Sequence, residues 1–145
     1  MQLTQFTDIG LRTLMYAAKH QRASLMTVSE LATQFQLSQN HLVKVVAVLV
    51  RLGWLQSVRG RNGGLKLSIP PASLTLGTII RELEGSDSLI DCKKAHCVLE
   101  GSCRLQGILH QSMQQLYEWL DQYTLADLVK KPTGPVLIEL QEQWG

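Results

Sequence analysis

The sequence predicts a mainly α-helical fold with one small β-hairpin. Three observations predict it: three amphipathic stretches before residue 53, two strand-like runs around the glycine-rich stretch RGRNGG, and a long apolar stripe after residue 104. Two helices joined by a tight turn and followed at once by a basic hairpin are typical of a winged helix-turn-helix. A long apolar helix late in a small chain is typical of a dimerisation helix.

The three amphipathic stretches each carry helix-start or helix-stop signals. In the first, DIGLRTLMYAAKH, apolar residues recur at a helical period, and Thr7 or Asp8 is the expected N-cap. In the second, TVSELATQF, Thr27 is the expected N-cap, and Glu30 three residues later completes the pattern of a capping box. Ser38 is the expected cap of the third helix, QNHLVKVVAVLVRLG, and Gly53 is its expected end.

The predicted wing consists of the runs WLQSV and LKLSI. Asn62-Gly63 lies between them and is a strong hairpin signal, because both residues tolerate positive φ. The proline pair that follows LKLSI is expected to end this part of the chain. We therefore expect a winged helix-turn-helix domain over residues 1–70. The second part, residues 71–145, is expected to hold a linking helix, a cysteine-containing loop at 86–104 and the dimerisation helix.

Charge is divided unevenly between these two parts. Residues 1–70 carry eight Lys or Arg and two Asp or Glu, a net +6, whereas residues 71–145 carry six and ten, a net −4. This asymmetry indicates that the first part meets a polyanion. No run of about 18 apolar residues and no secretory leader pattern is present, so we expect a cytoplasmic protein with no membrane contact. No catalytic triad or carboxylate pair is recognisable, and we do not expect an enzyme.

The expected DNA-reading residues lie at the start of the third helix and in the wing. Asn and Gln side chains can pair with adenine, and Lys or Arg with guanine or phosphate. Glycines in the wing allow the backbone to approach the duplex closely. The candidate DNA-binding residues are Thr27, Ser38, Gln39, Asn40, His41, Lys44, Arg59, Gly60, Arg61 and Asn62.

All three cysteines fall in the stretch CKKAHCVLEGSC, as Cys92, Cys97 and Cys103. Three thiols in one polar loop can gather around a soft metal centre. The spacing is wider than the C-x2-C pairs common in zinc loops, and it favours an iron–sulfur cluster, [4Fe-4S] or [2Fe-2S]. A structural zinc site and thiol chemistry without a cofactor remain alternatives.

Several stretches together resemble the NsrR repressors, a nitric-oxide-sensing family within the winged-helix superfamily that also contains the cluster regulator IscR. They are MQLTQFTDIGLR, NHLVKVV, VRGRNGG, IIRELE, the three cysteines and YTLADLV, and they span nearly the whole chain. The resemblance implies a homodimeric repressor that binds an inverted-repeat DNA operator. It also implies that Cys92, Cys97 and Cys103 ligate an iron–sulfur cluster and that nitric oxide is the signal that releases the operator.

The resemblance also bears on the fourth cluster ligand. In the IscR branch this ligand is a histidine three residues after the last cysteine, but Gln106 occupies that position here. In the NsrR branch it can be an aspartate of the first helix from the other subunit, which matches Asp8. Other candidates are His96, His110, Asp87 and Asp91. The alternative functions are an IscR-like regulator of cluster or redox status and a zinc- or thiol-dependent winged-helix regulator.

Overall fold

The computed structural model describes residues 1–145 and confirms the predicted fold class. The structure has seven α-helices and one two-stranded hairpin, and a short 3-10 turn at Pro71–Ser73 follows that hairpin. In chain order the elements are α1 (Gln5–Ala18), α2 (Val28–Gln34), α3 (Gln39–Arg51), β1 (Leu55–Val58), β2 (Gly64–Leu67), α4 (Leu76–Glu84), α5 (Arg104–Leu120), α6 (Leu125–Leu128) and α7 (Thr133–Trp144).

Helix α1 begins one turn earlier than the sequence predicted. Its N-cap is Thr4, whose hydroxyl accepts a hydrogen bond from the backbone N–H of Thr7 at 3.3 Å. The prediction of Thr7 or Asp8 as the cap was therefore wrong. Thr7 is buried, and Asp8 lies within the first turn, where its negative charge complements the positive end of the helix dipole.

The helix-turn-helix has two of its three predicted local signals. Thr27 and Glu30 form the capping box of α2 in both directions. Gly53 follows the end of α3 with a φ of 78°, the left-handed conformation that favours glycine. Ser38 occupies the N-cap position of α3 as predicted, but its hydroxyl makes no capping hydrogen bond.

The wing is an antiparallel hairpin in which Val58 pairs with Gly64 and Leu55 with Leu67. Its turn is centred one residue earlier than predicted, because the backbone N–H of Gly63 donates to the carbonyl of Gly60 at 3.0 Å. Positive φ occurs at Gly60 and Gly64, not at Asn62 or Gly63. A side chain at position 63 would lie 2.2 Å from the carbonyl oxygen of Val58, so this glycine is needed for close approach.

One hydrophobic cluster of 20 buried residues draws on both predicted parts of the chain. Residues of α1, α2, α3 and the hairpin contribute Leu14, Leu31 and Leu49 among others, and Ile79 of α4 and Leu125 of α6 complete it. The segments before α4 and α6 also pair, because the N–H of Leu125 donates to the carbonyl of Leu74 at 2.8 Å. The boundary at residue 70 stays a prediction, and the core extends across it.

Helix α5 begins at Arg104 as predicted and ends at Leu120, three residues short of the predicted end. Its inner face forms a second, smaller cluster in which Met113 and Tyr117 pack against Ile80 of α4. Leu120 packs against the same cluster, but much of the remaining apolar stripe faces outward. The exposed apolar residues on or just after this helix are Leu105, Ile108, Leu116, Trp119 and Tyr123.

Helix α7 was not predicted from the sequence. Leu137 and Gln141 face the core, and the side-chain amide of Gln141 donates to the carbonyl of Tyr16 at 3.1 Å. The amide of Gln34, at the end of α2, donates to the carbonyl of Leu140 at 2.9 Å. The C-terminal helix is therefore tied to α1 and α2. None of the seven helices has the length and apolar character needed to cross a membrane.

Candidate DNA-binding surface and cysteine loop

Helix α3 has a buried face and a face directed to solvent. Its buried residues are Leu42, Val45, Val46 and Leu49, at the spacing of one helical face. The predicted reading residues Gln39, Asn40, His41 and Lys44 are all exposed. The helix therefore presents amide, imidazole and ammonium groups together on the side away from the core, as a helix that enters the major groove must do.

The wing places further polar groups beside this helix. Arg59, Gly60, Arg61 and Asn62 are all exposed at the tip of the hairpin. Thr27 differs from the other candidates, because its hydroxyl already accepts the N–H of Glu30 at 3.1 Å in the capping box. The backbone N–H of Thr27 also donates to the Glu30 carboxylate, so any contact of Thr27 with a phosphate is left to the proton of its hydroxyl.

The basic charge of this part of the chain is largely uncompensated by carboxylates. Its two acidic residues pair with Arg12 and Arg22, through Asp8 and Glu30. Six cations are left without a carboxylate partner, and five of them are exposed on α3 or the hairpin. Those five are Lys44, Arg51, Arg59, Arg61 and Lys66. The uncompensated positive charge therefore lies mainly on the predicted reading helix and the wing, and these five cations are called the stripe below.

Arg51 and Lys66 were missed in the sequence analysis. The signal for Lys66 was present, because alternation along β2 places it opposite the buried Leu65. Arg51 lies at the last turn of α3, two helical turns beyond Lys44, and shares its outward face.

A buried polar cluster supports the helix-turn-helix from beneath. Glu30 of α2 is only 1% exposed, and its carboxylate accepts the hydroxyl of Tyr16 at 2.5 Å and pairs with Arg22. Burial, followed by the neighbouring Glu30 carboxylate, raises the pKa of Tyr16 above its ordinary value. Tyr16 therefore stays a neutral hydrogen-bond donor and fixes α1 against α2.

The cysteine loop joins α4 to α5 without regular helix or strand. The N–H of Cys97 donates to the carbonyl of Cys92 at 3.1 Å, and Cys103 occupies the N-cap position of α5. Gly101, with a φ of 84°, turns the chain between the last two cysteines. All three thiols are free and half-buried. The backbone contact between Cys97 and Cys92 closes the first part of the loop into a turn.

The three thiols influence one another electrostatically. Burial raises the pKa of the Cys92 thiol, and Cys97 and Cys103 raise it further because adjacent negative charges repel. A cation bound among them would remove this repulsion, since thiolates are the ligands of soft metals. The donor set therefore fits an iron–sulfur cluster or zinc in its chemistry. No three or more His, Cys, Asp or Glu side chains yet converge on a point that could hold a metal ion.

The candidates for a fourth ligand are not gathered around the cysteines within one chain. The carboxylate of Asp8 pairs with Arg12 at 2.8 Å, and both side chains are about half exposed. Asp91 accepts the N–H of Lys94 at 3.0 Å and so shapes the turn between the first two cysteines. Asp87, His96 and His110 are exposed, and His96 adopts a φ of 47°.

A direct packing path connects the base of this loop with α3, the predicted reading helix. Leu83, at the end of α4, contacts α1 at Gly10, where an added Cβ would lie 2.5 Å from the Leu83 Cδ1 atom. The same Cβ would lie 3.7 Å from a methyl carbon of Val45 in α3. The glycine thus lets three helices meet closely, one of which leads directly into the cysteine loop.

Residues 3–131 match the model of a family described as Rrf2, iron-dependent transcriptional regulator. The chain belongs to the Rrf2 family. Its fold is similar to that of other solved regulators. The similarity to CymR, the global cysteine regulator of B. subtilis, has a TM-score of 0.71 and 29% identity, over 88% of this chain and 95% of that one.

Two further solved structures are similar over most of their length. The oxidized form of Staphylococcus aureus CymR has a TM-score of 0.69 and 28% identity, over 88% of this chain and 95% of that chain. T. potens IscR has a TM-score of 0.68 and 26% identity, over 89% of this chain and 86% of that chain. This Rrf2 protein is therefore a transcriptional regulator by family. The resemblance to NsrR is narrower than Rrf2 membership, so nitric oxide sensing stays a proposal.

Proposed function

We propose that this chain is a homodimeric DNA-binding repressor whose operator affinity depends on an iron–sulfur cluster held by its cysteine loop. The observation that carries DNA binding is the stripe of five exposed cations on α3 and the hairpin that no carboxylate neutralises. Such a stripe releases counterions from the phosphate backbone when it binds, which supplies affinity for any duplex. Gln39 and Asn40, beside it, supply base contacts that select a sequence.

The outward face of α5 supports a dimer. Five apolar side chains are exposed on or just after this helix, and the rings of Trp119 and Tyr123 lie 5.0 Å apart at its C-terminal end. A stripe of this kind on a small protein is stabilised when a second copy covers it. A twofold dimer presents two reading helices to successive major grooves, so the expected operator is an inverted repeat.

The cysteine loop is the evidence for an iron–sulfur cofactor. Cys92, Cys97 and Cys103 would hold the cluster, and Asp8 of the partner subunit would be the fourth ligand. Asp8 is free for this role because its ion pair with Arg12 is exposed and weak. When bound, such a cluster supplies iron that reacts with nitric oxide. In this proposal exposure to nitric oxide weakens operator binding and derepresses transcription.

Two other functions share the same DNA-binding surface. An IscR-like regulator of cluster or redox status would use the same three cysteines, and the similarity to T. potens IscR favours it. A thiol-dependent regulator would use the cysteines without a metal, and the free, half-buried thiols favour that alternative.

The test is to purify the protein anaerobically, record its visible absorption spectrum and assay iron and acid-labile sulfide. The proposal expects a brown protein with matched iron and sulfide, which both fall to background in Cys92→Ser, Cys97→Ser and Cys103→Ser variants. Ser102→Ala, in the same loop, is the matched control and keeps both. A colourless protein that contains zinc or no metal after anaerobic reconstitution would contradict the cluster.

Titration with nitric oxide in the presence of operator DNA then separates the proposed signal from the alternatives. Loss of binding on addition of nitric oxide supports the repressor proposed here. Retained binding, with loss on oxidation or iron limitation, supports the IscR-like alternative.

A further inference from the structure

Helix α3 carries an apolar side chain on the face that the proposed function assigns to base reading. Val43 is 54% exposed, although it lies in the middle of the helix. Ala47, one turn later, is exposed on the same face. The exposed polar residues Asn40 and Lys44 lie beside this pair on the same outward side of the helix.

We infer that Val43 is a specificity-determining residue that recognises the 5-methyl group of a thymine in the major groove. This inference rests on the proposed DNA binding. Among the groups that base pairs present in the major groove, the thymine methyl is the apolar one, and it is matched by apolar side chains. The two methyl groups of Val43 are directed away from a core already filled by Leu42, Val45 and Val46.

The neighbouring residue types are consistent with a reading helix that lies close to the base edges. Ala47 is small, so nothing at the centre of the outward face holds the helix away from the groove floor. Val43 follows Gln39 by four residues and Asn40 by three, which places them about 5–6 Å apart on one face. That spacing corresponds to one or two base-pair steps, since B-DNA rises about 3.4 Å per step.

This spacing fixes the expected position of the thymine relative to the bases that the polar residues read. Asn40 and Gln39 are suited to adenine. The thymine that Val43 contacts is expected within two base pairs of an adenine that one of these residues reads, in both halves of the inverted repeat. At the position that Val43 contacts, the preference for thymine depends on its methyl group. At the positions that Gln39 and Asn40 contact, the preference depends on hydrogen bonds.

The experiment begins by selecting an operator from random duplexes with the purified full-length protein. Each thymine of the half-site is then replaced by deoxyuridine, symmetrically in both halves, which removes the 5-methyl group and nothing else. Dissociation constants are measured at one salt concentration for the unmodified protein and for Val43→Ala. Val136→Ala is the matched control, because Val136 is also 54% exposed but lies on α7.

The inference expects one deoxyuridine position to weaken binding by the unmodified protein about fourfold per half-site, the effect of losing one buried methyl group. The same replacement changes binding by Val43→Ala less than twofold, whereas Val136→Ala behaves as the unmodified protein does. Equal loss at that position in both the unmodified and the Val43→Ala protein would overturn the inference. So would a Val43→Ala variant that is weakened equally on thymine and deoxyuridine operators.

The same experiment distinguishes an error in the proposed DNA binding from an error in the proposed role of Val43. If the unmodified protein enriches no duplex and binds none, the DNA-binding proposal is wrong. If it binds a selected operator whose affinity is insensitive to every thymine methyl, DNA binding stands and the role of Val43 is wrong.

Discussion

The side-chain carboxylate of Glu84 accepts two hydrogen bonds from Thr4, from its backbone N–H at 2.8 Å and from its hydroxyl at 2.9 Å. Thr4 is the N-cap of α1, and Glu84 is the last residue of α4, immediately before the segment that contains the cysteines. The start of the first helix and the base of the cysteine loop are thereby held together. A movement of that loop would act on α1 through this contact.

The first prediction concerns the pH dependence of this contact. Partial burial raises the pKa of Glu84, but hydrogen bonds from Thr7 and Thr4 outweigh burial and hold the pKa below its ordinary value. A carboxyl whose pKa is lowered by folding stabilises the fold above its unfolded pKa of about 4.3, and this stabilisation is lost as the pH falls through the folded pKa. Glu84→Gln is expected to lower the free energy of unfolding by up to about 1 kcal/mol at pH 7, because the contact is partly exposed.

Urea unfolding at pH 7 and at about pH 3 measures this difference. The difference should become smaller at the lower pH, because the stabilisation is lost as the pH falls through the folded pKa of Glu84. Glu82→Gln, on the exposed side of the same helix, is the control and should change stability little at either pH. A Glu84→Gln difference that stays the same across this pH range would contradict the role of the charge.

The second prediction compares two helical glycines. A Cβ at Gly77 would lie 2.2 Å from a carboxylate oxygen of Asp121 and 2.9 Å from the carbonyl oxygen of Tyr117. Asp121 itself accepts the hydroxyl of Thr75 at 2.6 Å and the guanidinium of Arg81 at 3.0 Å, so it cannot move without breaking both contacts. Gly77→Ala is expected to destabilise the fold by about 2 kcal/mol, since overpacking outweighs the gain in helix propensity.

Gly107→Ala is the matched variant, because a Cβ at Gly107 meets nothing within 4 Å in one chain. It should stabilise the monomer by about 0.5–1 kcal/mol through helix propensity alone. Thermal unfolding of both variants measures the contrast. Two variants with the same melting temperature would show that the contact with Asp121 relaxes easily.

The third prediction concerns the wing. Arg59→Ala and Arg61→Ala should each weaken binding to all duplexes by a similar factor, and each should reduce the slope of log K against log salt by about 1. Titrations between about 50 and 200 mM salt measure the slope. Lys131→Ala removes an exposed cation outside the stripe and should leave the salt slope unchanged. An unchanged slope in the wing variants would place both guanidinium groups away from the phosphates.

The fourth prediction separates the two roles open to Asp8. Its ion pair with Arg12 is about half exposed, so Asp8→Ala and Arg12→Ala should each change the free energy of unfolding by less than about 1 kcal/mol. If Asp8 ligates the cluster of the partner subunit, only Asp8→Ala should alter the visible spectrum. Equal spectra for both variants and the unmodified protein would exclude the ligand role.

Features that depend on residues close together in the sequence were predicted correctly, whereas features that depend on distant residues were not. The Thr27 capping box and the Gly53 helix end were predicted because each depends on residues within one helical turn. The wing turn was centred wrongly because the role of Gly63 is set by the approach of the Val58 carbonyl across the hairpin. Asp8 has the side chain of a capping residue, but the chain enters the helix at Thr4, whose partner Glu84 is 80 residues away.

Helix α7 was also not predicted, because its contacts involve residues distant in the sequence. Leu137 of α7 lies in the core, and Gln141 donates to the carbonyl of Tyr16, which is 125 residues earlier in the chain, so no local sequence pattern indicates this contact. In the candidate site, the residue types of α3 and the wing were predictable from local sequence. The pairing of Arg12 and Arg22 with the two nearby acids, which leaves the other cations unneutralised, required the structure.

The hydrophobic core that spans residue 70 also constrains how such a regulator can change over time. Because Ile79, Leu125 and Leu137 lie in the same cluster as the helix-turn-helix, residues 1–70 cannot be separated from the rest of the chain without exposing the core. We expect new signal specificity to arise by substitution within the cysteine loop, whose side chains contribute nothing to that cluster. Diversification here would proceed by replacing residues in place, and not by recombination of modules.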